Sequence, residues 1–132
     1  MRFTDWKMPH IAHGIPTKYN WVVLYPEGLN MGHLTDIGAY TLIQARAGVE
    51  IGLNVQIGSH CAIYSVSTID NRQGKVVIGK GAKIGTHSTI MPGVTIGDNA
   101  VIGAHSFVNC DIPAGEVWYG VPARRRKGGS GV

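Results

Sequence analysis

Six histidines, two cysteines and a run of four basic residues carry most of the chemical capacity of this 132-residue chain. Three of the histidines, His60, His87 and His105, fall at the fourth place of a six-residue repeat, where a side chain points outward. A neutral imidazole takes a proton near pH 7, which makes an outward histidine a candidate general base. His87 and His105 are 18 residues apart, three repeats, and so belong on one face. Between His60 and His87 the repeat is interrupted by what reads as three extra residues, which displaces His60 to another face. Of the two, His60 is the first choice as base and His87 the next, with His33 and Asp70 as further alternatives. Zinc needs ligands converging to about 2.1 Å, which two stacked histidines do not provide, so no metal is expected.

The two cysteines, Cys61 and Cys110, lack the pair spacing of a metal site or disulfide framework and read as reduced, small apolar side chains. The basic run is Arg124-Arg125-Arg126-Lys127, and outside it eight basic residues balance eight acidic ones, so it carries the formal net charge of +4. A compact cluster on a neutral body suits a few phosphates rather than a duplex track, with a solvated tail as the alternative. At 44% hydrophobic and 15% charged residues the chain is too apolar to be disordered. Its 19 glycines do not recur every third residue, which excludes collagen. No apolar run reaches the ~18 residues of a membrane-spanning helix. The first residues do not start a signal peptide, so a cytoplasmic location is expected.

Something must hold these side chains in place, and the repeat supplies it. From Ile51 an aliphatic residue followed by a small one recurs every six: Ile51-Gly52, Ile57-Gly58, Ile63, Ile69, then Ile78-Gly79, Ile84-Gly85, Ile90, Ile96-Gly97, Ile102-Gly103 and Val108. Val55, Cys61, Ala82, Ser88, Val94, Ala100 and Ser106 repeat in phase as small residues. A period of six is neither helical nor a plain strand alternation. It predicts short strands joined by sharp corners, with three units closing one triangular turn of a parallel β-helix solenoid. Residues 1–30 lack the phase and are assigned as an N-terminal cap, since a solenoid must cover its open end. The β-helix is expected over 31–123, in about four coils, with an excursion loop at 70–77 and a basic flexible tail at 124–132.

With the run IGTHSTIMPGVTIGDNAVIGAHSFVNCDIPAGEVWYGVPAR, residues 84–124, the chain resembles the hexapeptide-repeat acyltransferases, among them sugar and nucleotide-amino-sugar acetyltransferases. The resemblance implies a left-handed hand, a homotrimer with active sites between subunits, and acetyl-CoA as acyl donor. It also implies that backbone N–H groups one coil apart, here at Thr86 and Ala104, hold the pantetheine arm, with Asn109 and Cys110 nearby. Arg124, Arg125, Arg126 and Lys127 would then meet the nucleotide phosphates. Galactoside-type members carry a catalytic histidine before the excursion loop; the matching position here is Ile69, which accepts no proton.

An amine acceptor resolves that departure, because a neutral amine attacks a thioester without first losing a proton. The expected function is therefore transfer of acetyl from acetyl-CoA to the amine of a nucleotide-linked amino sugar, in surface-polysaccharide synthesis. Gln44, Arg46, Asp70 and Asn71 are the candidates for holding the acceptor. The alternatives are O-acetylation of a sugar or small alcohol with His60 or His87 as base, and a non-catalytic binding or scaffold solenoid. No nucleic acid is expected as a partner.

Overall fold

The computed structural model describes residues 5–126, and its strands are two to four residues long. They are short because each repeat offers one inward β-branched residue before a corner residue turns the chain. The strands stack in parallel into three flat faces. The first face is Val22–Leu24, Leu42–Gln44, Ala62–Tyr64, Thr89–Ile90 and Phe107–Val108. The second is Leu29–Met31, Val49–Ile51, Val76–Ile78 and Thr95–Ile96. The third is Asp36–Ile37, Gln56–Ile57, Lys83–Ile84 and Val101–Ile102, followed by Val117–Gly120 and an antiparallel Ala123–Arg125.

Isoleucine ladders fill the narrow interior. Ile43, Ile63 and Ile90 stack on the first face, Ile51, Ile78 and Ile96 on the second, and Ile57, Ile84 and Ile102 on the third, all buried. Each fully buried aliphatic side chain contributes about 1.5–3 kcal/mol. The small residues of the repeat, including Val55, Cys61, Ala82, Ser88, Ala100 and Ser106, are buried too, as the triangular section requires.

Three expectations change. Ile69 is not a rung of the core: it stands fully exposed at the tip of a hairpin, Val66–Ser67 against Arg72–Gln73. The excursion therefore leaves the coil after Ser65 and returns by Val76, and it adds nine residues to the turn from Ile63 to Ile78, where three were read. The mistake was one of phase, because Ile69 happens to fall six residues after Ile63. Second, part of the assigned cap belongs to the solenoid: Val22–Leu24 and Leu29–Met31 already pair with the coil above. Third, Arg124 and Arg125, assigned to a flexible tail, lie in a strand paired with Trp118 and Tyr119. Lys127 lies outside the described residues.

The ends are closed differently. Below, Gly14 and Thr17 donate backbone N–H bonds to Val23 and Trp21, and Trp6 donates its indole N–H to Thr35 O at 2.9 Å. Trp6, Pro9, Tyr19 and Trp21 close over a small cavity of about 80 Å³. Above, the antiparallel strand Ala123–Arg125 pairs with Val117–Gly120 and forms the last edge of the third face. None of the helices among the described residues is long and apolar enough to cross a membrane.

Candidate active site

The corner leading from the third face to the first carries Asn20, Tyr40, His60, His87 and His105, one per coil, each at positive φ between 57° and 68°. Asn and His tolerate this region better than most residues, and it turns their side chains out of the coil. The rings of Tyr40 and His60 lie 5.1 Å apart. His60 stacks on His87 at 4.7 Å and 4°, and His87 on His105 at 4.8 Å and 8°. His60 is thus on the same face as the other two, contrary to the expected displacement. The nine looped-out residues leave the ladder undisturbed, so Ala62 pairs directly with Thr89. Parallel rings do not converge on a point, and no group of three or more His, Cys, Asp or Glu among the described residues could hold a metal.

Directly behind the rings is a polar seam inside the core. Thr41 donates its hydroxyl to Gly58 O at 2.8 Å, and Ser88 and Ser106 donate theirs to Gly103 O at 3.1 and 2.6 Å. The Cys61 thiol points at Gly85 O, 3.3 Å away, and burial pushes its pKa above the ordinary 9.0. These bonds satisfy carbonyls at the corner that the short strands leave unpaired.

Thr86 and Ala104 lie at this same corner on adjacent coils. A Cβ on Gly58 would come within 2.6 Å of Thr86 N, and one on Gly85 would overlap Ala104 N. Only glycine lets the backbones approach that closely. His87 and His105 donate N–H bonds to Ser59 O and Thr86 O. Among the described residues, the backbone N–H groups of Thr86 and Ala104 donate no hydrogen bond. The Thr86 hydroxyl donates to Ser59 O at 2.7 Å and lies 3.0 Å from His87 Nδ1.

The other candidates are elsewhere. Gln44 accepts from Arg46 N at 3.0 Å and Ser65 Oγ at 3.1 Å, at the corner from the first face to the second. Arg46 lies over the Tyr25 ring at 5.7 Å. Asp70 and Asn71 are at the hairpin tip, Asp70 paired with Arg72 at 3.4 Å. All four therefore stand across the first face from the histidines within one chain. Exposed Asn109 and Cys110 follow Phe107–Val108 on that far side too. Arg125 pairs with Glu116 at 3.5 Å and Arg126 donates to Tyr119 O at 2.7 Å. Arg124 is exposed on the outer strand of the third face. His33 packs on Trp6 at 5.5 Å, far from the column.

A family profile described as "Bacterial transferase hexapeptide (six repeats)" matches residues 75–110, the stretch holding Thr86, His87, Ala104 and His105. The chain carries the bacterial transferase hexapeptide repeat. It is 57% identical over 49 residues to the galactoside O-acetyltransferase of Escherichia coli (strain K12), covering 37% of this chain and 24% of that protein. It is 47% identical over 51 residues to the dTDP-3-amino-3,6-dideoxy-alpha-D-galactopyranose 3-N-acetyltransferase of Aneurinibacillus thermoaerophilus, covering 39% and 27%. A hexapeptide-repeat acetyltransferase from Vibrio cholerae, solved with acetyl coenzyme A, superposes with a TM-score of 0.73 at 30% identity over 80% of this chain and 62% of that one. The hexapeptide-repeat chain thus spans about a quarter of the length of either curated relative. The all-β, left-handed β-helix of stacked coils is the fold shared with such acetyltransferases.

Sequence reasoning missed Ser59 and Tyr40 and misplaced His60 in this hexapeptide-repeat protein. A signal was present. Gly58-Ser59-His60-Cys61, Gly85-Thr86-His87-Ser88 and Gly103-Ala104-His105-Ser106 are three copies of one corner, glycine, small residue, histidine, small residue. Aligning these copies places all three histidines in a column without counting through the hairpin.

Proposed function

We propose that this protein transfers the acetyl group of acetyl-CoA to the amine of an amino sugar, in nucleotide-linked form, with His87 as the base. The observation that carries the reading is the juxtaposition at one corner of the Thr86 and Ala104 backbones with the His87 imidazole. The backbones suit the extended amide arm of the donor, and the imidazole is one residue from Thr86. As the amine attacks the thioester, the C–N bond forms, the C–S bond breaks, and the amine proton passes through His87 to the departing thiolate. Positioning of the two reactants alone can supply about 7–11 kcal/mol of barrier reduction. The acetyl-CoA complex of the Vibrio cholerae relative and the N-acetyltransferase likeness support this reading.

Within one chain the hairpin and Gln44 lie across the first face from His87, so the reading includes a homotrimer in which a neighbour's hairpin corner meets this chain's histidine corner. Asp70 and Asn71 then hold the acceptor, and exposed Arg124 meets the donor phosphates as a point charge. A hydroxyl acceptor is the second reading, favoured by the galactoside O-acetyltransferase likeness.

Calorimetry with acetyl-CoA tests the donor site. Intact protein should bind in the micromolar range, and Arg124→Gln should weaken binding while leaving the paired strand in place. No binding by folded protein overturns the reading and leaves a non-catalytic solenoid. Turnover of an amino sugar against the matched alcohol then separates the two acceptor classes.

A further inference from the structure

We infer that Thr86, through its hydroxyl, is a positioning residue that holds His87 in the tautomer with the proton on Nδ1 and the lone pair on Nε2. This rests on the reading of His87 as the base. The Thr86 hydroxyl has a single hydrogen. Its shortest contact is Ser59 O, a carbonyl that can only accept, at 2.7 Å. With the hydrogen committed there, Thr86 Oγ1 accepts from the Ser59 hydroxyl at 3.1 Å and presents its remaining lone pair to His87 Nδ1 at 3.0 Å. Two facing lone pairs repel, so Nδ1 carries the hydrogen and donates it. Ser59 O accepts from both the Thr86 hydroxyl and the His87 backbone N–H, which uses its two acceptor directions.

The ring has little freedom to escape this arrangement. His60 and His105 lie parallel to it on either side, at 4.7 and 4.8 Å. Rotation about the Cβ–Cγ bond would drive the imidazole edge into both neighbours and forfeit the Thr86 bond. The result is a relay in which Nδ1–H donates to Thr86 Oγ1, whose hydrogen is donated to Ser59 O. When Nε2 takes the acceptor's proton, the imidazolium charge spreads along those two bonds. When the proton passes to the thiolate sulfur, the ring returns to the starting tautomer, since Nδ1–H is never released.

The test is nitrogen-15 NMR of the histidine rings of the full chain, at a pH where they are neutral. Wild-type His87 should show a protonated Nδ1 and an unprotonated Nε2. Thr86→Val should shift the population toward Nε2–H, and Thr86→Ser should restore the wild-type pattern. A wild-type ring with the proton mainly on Nε2 overturns the inference without any variant, and so does a Thr86→Val spectrum that keeps Nδ1–H dominant. In turnover, Thr86→Val should lower kcat, with rescue by serine. If the NMR pattern holds while His87→Ala retains full turnover, the base reading fails and the tautomer assignment stands.

Discussion

The histidine corner and the hairpin corner of the same solenoid obey different rules. From the third face to the first, the inward residues are always six apart: Ile37 to Ile43, Ile57 to Ile63, Ile84 to Ile90, Ile102 to Val108. From the first face to the second the step varies: eight residues from Val23 to Met31 and from Ile43 to Ile51, fifteen from Ile63 to Ile78, six from Ile90 to Ile96. Every insertion in the coil is thus absorbed at one edge. The difference teaches where precision is required. A column of rings 4.7–4.8 Å apart survives only if each coil delivers its corner in register. The opposite edge has no such stack, and added residues there loop into solvent at low cost.

The largest break between the two corners should come in catalysis. His87→Ala is expected to lower turnover at least ~100-fold, the usual scale for a lost general base. Asp70→Ala, at the hairpin tip, should instead raise KM for the acceptor and leave kcat within a few-fold. Steady-state kinetics with acetyl-CoA decide it, and equal losses of kcat in both variants would erase the distinction.

Next is stability. Gly85→Ala places a Cβ against the Ala104 backbone, which cannot yield as a flexible side chain would. The coils must part, at about 1–3 kcal/mol. At the hairpin corner, Gly93→Ala meets no atom within 4 Å and bears only the strain of φ +80°, about 1–2 kcal/mol. Thermal unfolding should rank Gly85→Ala as the lower melting of the two.

The cysteines sharpen the contrast further. Cys61 is buried behind the histidines, whereas Cys110 is exposed beyond the first face. A thiol reagent should modify one cysteine quickly in the folded protein and the second only on unfolding. Burial raises the Cys61 pKa above 9.0. Its contribution to stability is therefore complete below that value and falls as pH rises toward the folded-state pKa, because only the unfolded chain releases the proton there. Denaturant midpoints measured upward from pH 8 should decline, and Cys61→Ser should flatten that decline.

Excising the hairpin should have the smallest effect on the fold. Replacing Val66–Gln73 with two glycines is expected to change stability by less than about 1 kcal/mol, because the excised segment is a surface loop with its own pairing. Urea unfolding tests this, and a loss of several kcal/mol would show that the hairpin holds the coils together.

Much of this was legible in the chain. The alternation of isoleucine and small residues every six positions marks the triangular coil, and the Gly-Pro-rich run ending in GVPAR marks the kind of solenoid. Ile69 shows where such reading stops. Its type and its spacing from Ile63 are those of a core residue, yet it is fully exposed at the hairpin tip. Tyr25 and Tyr40 look like cap or surface aromatics, yet both turn corners at positive φ.

Composition and period alone determined the local event, a strand of two or three residues ending in a corner, because inward size and corner conformation are properties of single residues. They also determined that His60, His87 and His105 point outward. Which corners stand above one another was decided only by the closed coil. Ala62 pairs with Thr89 across 27 residues, and that register depends on how many intervening residues leave the ladder. The same stacking brings Ser59, Thr86 and His87 within hydrogen-bonding reach, a contact between coils that no count along one strand contains.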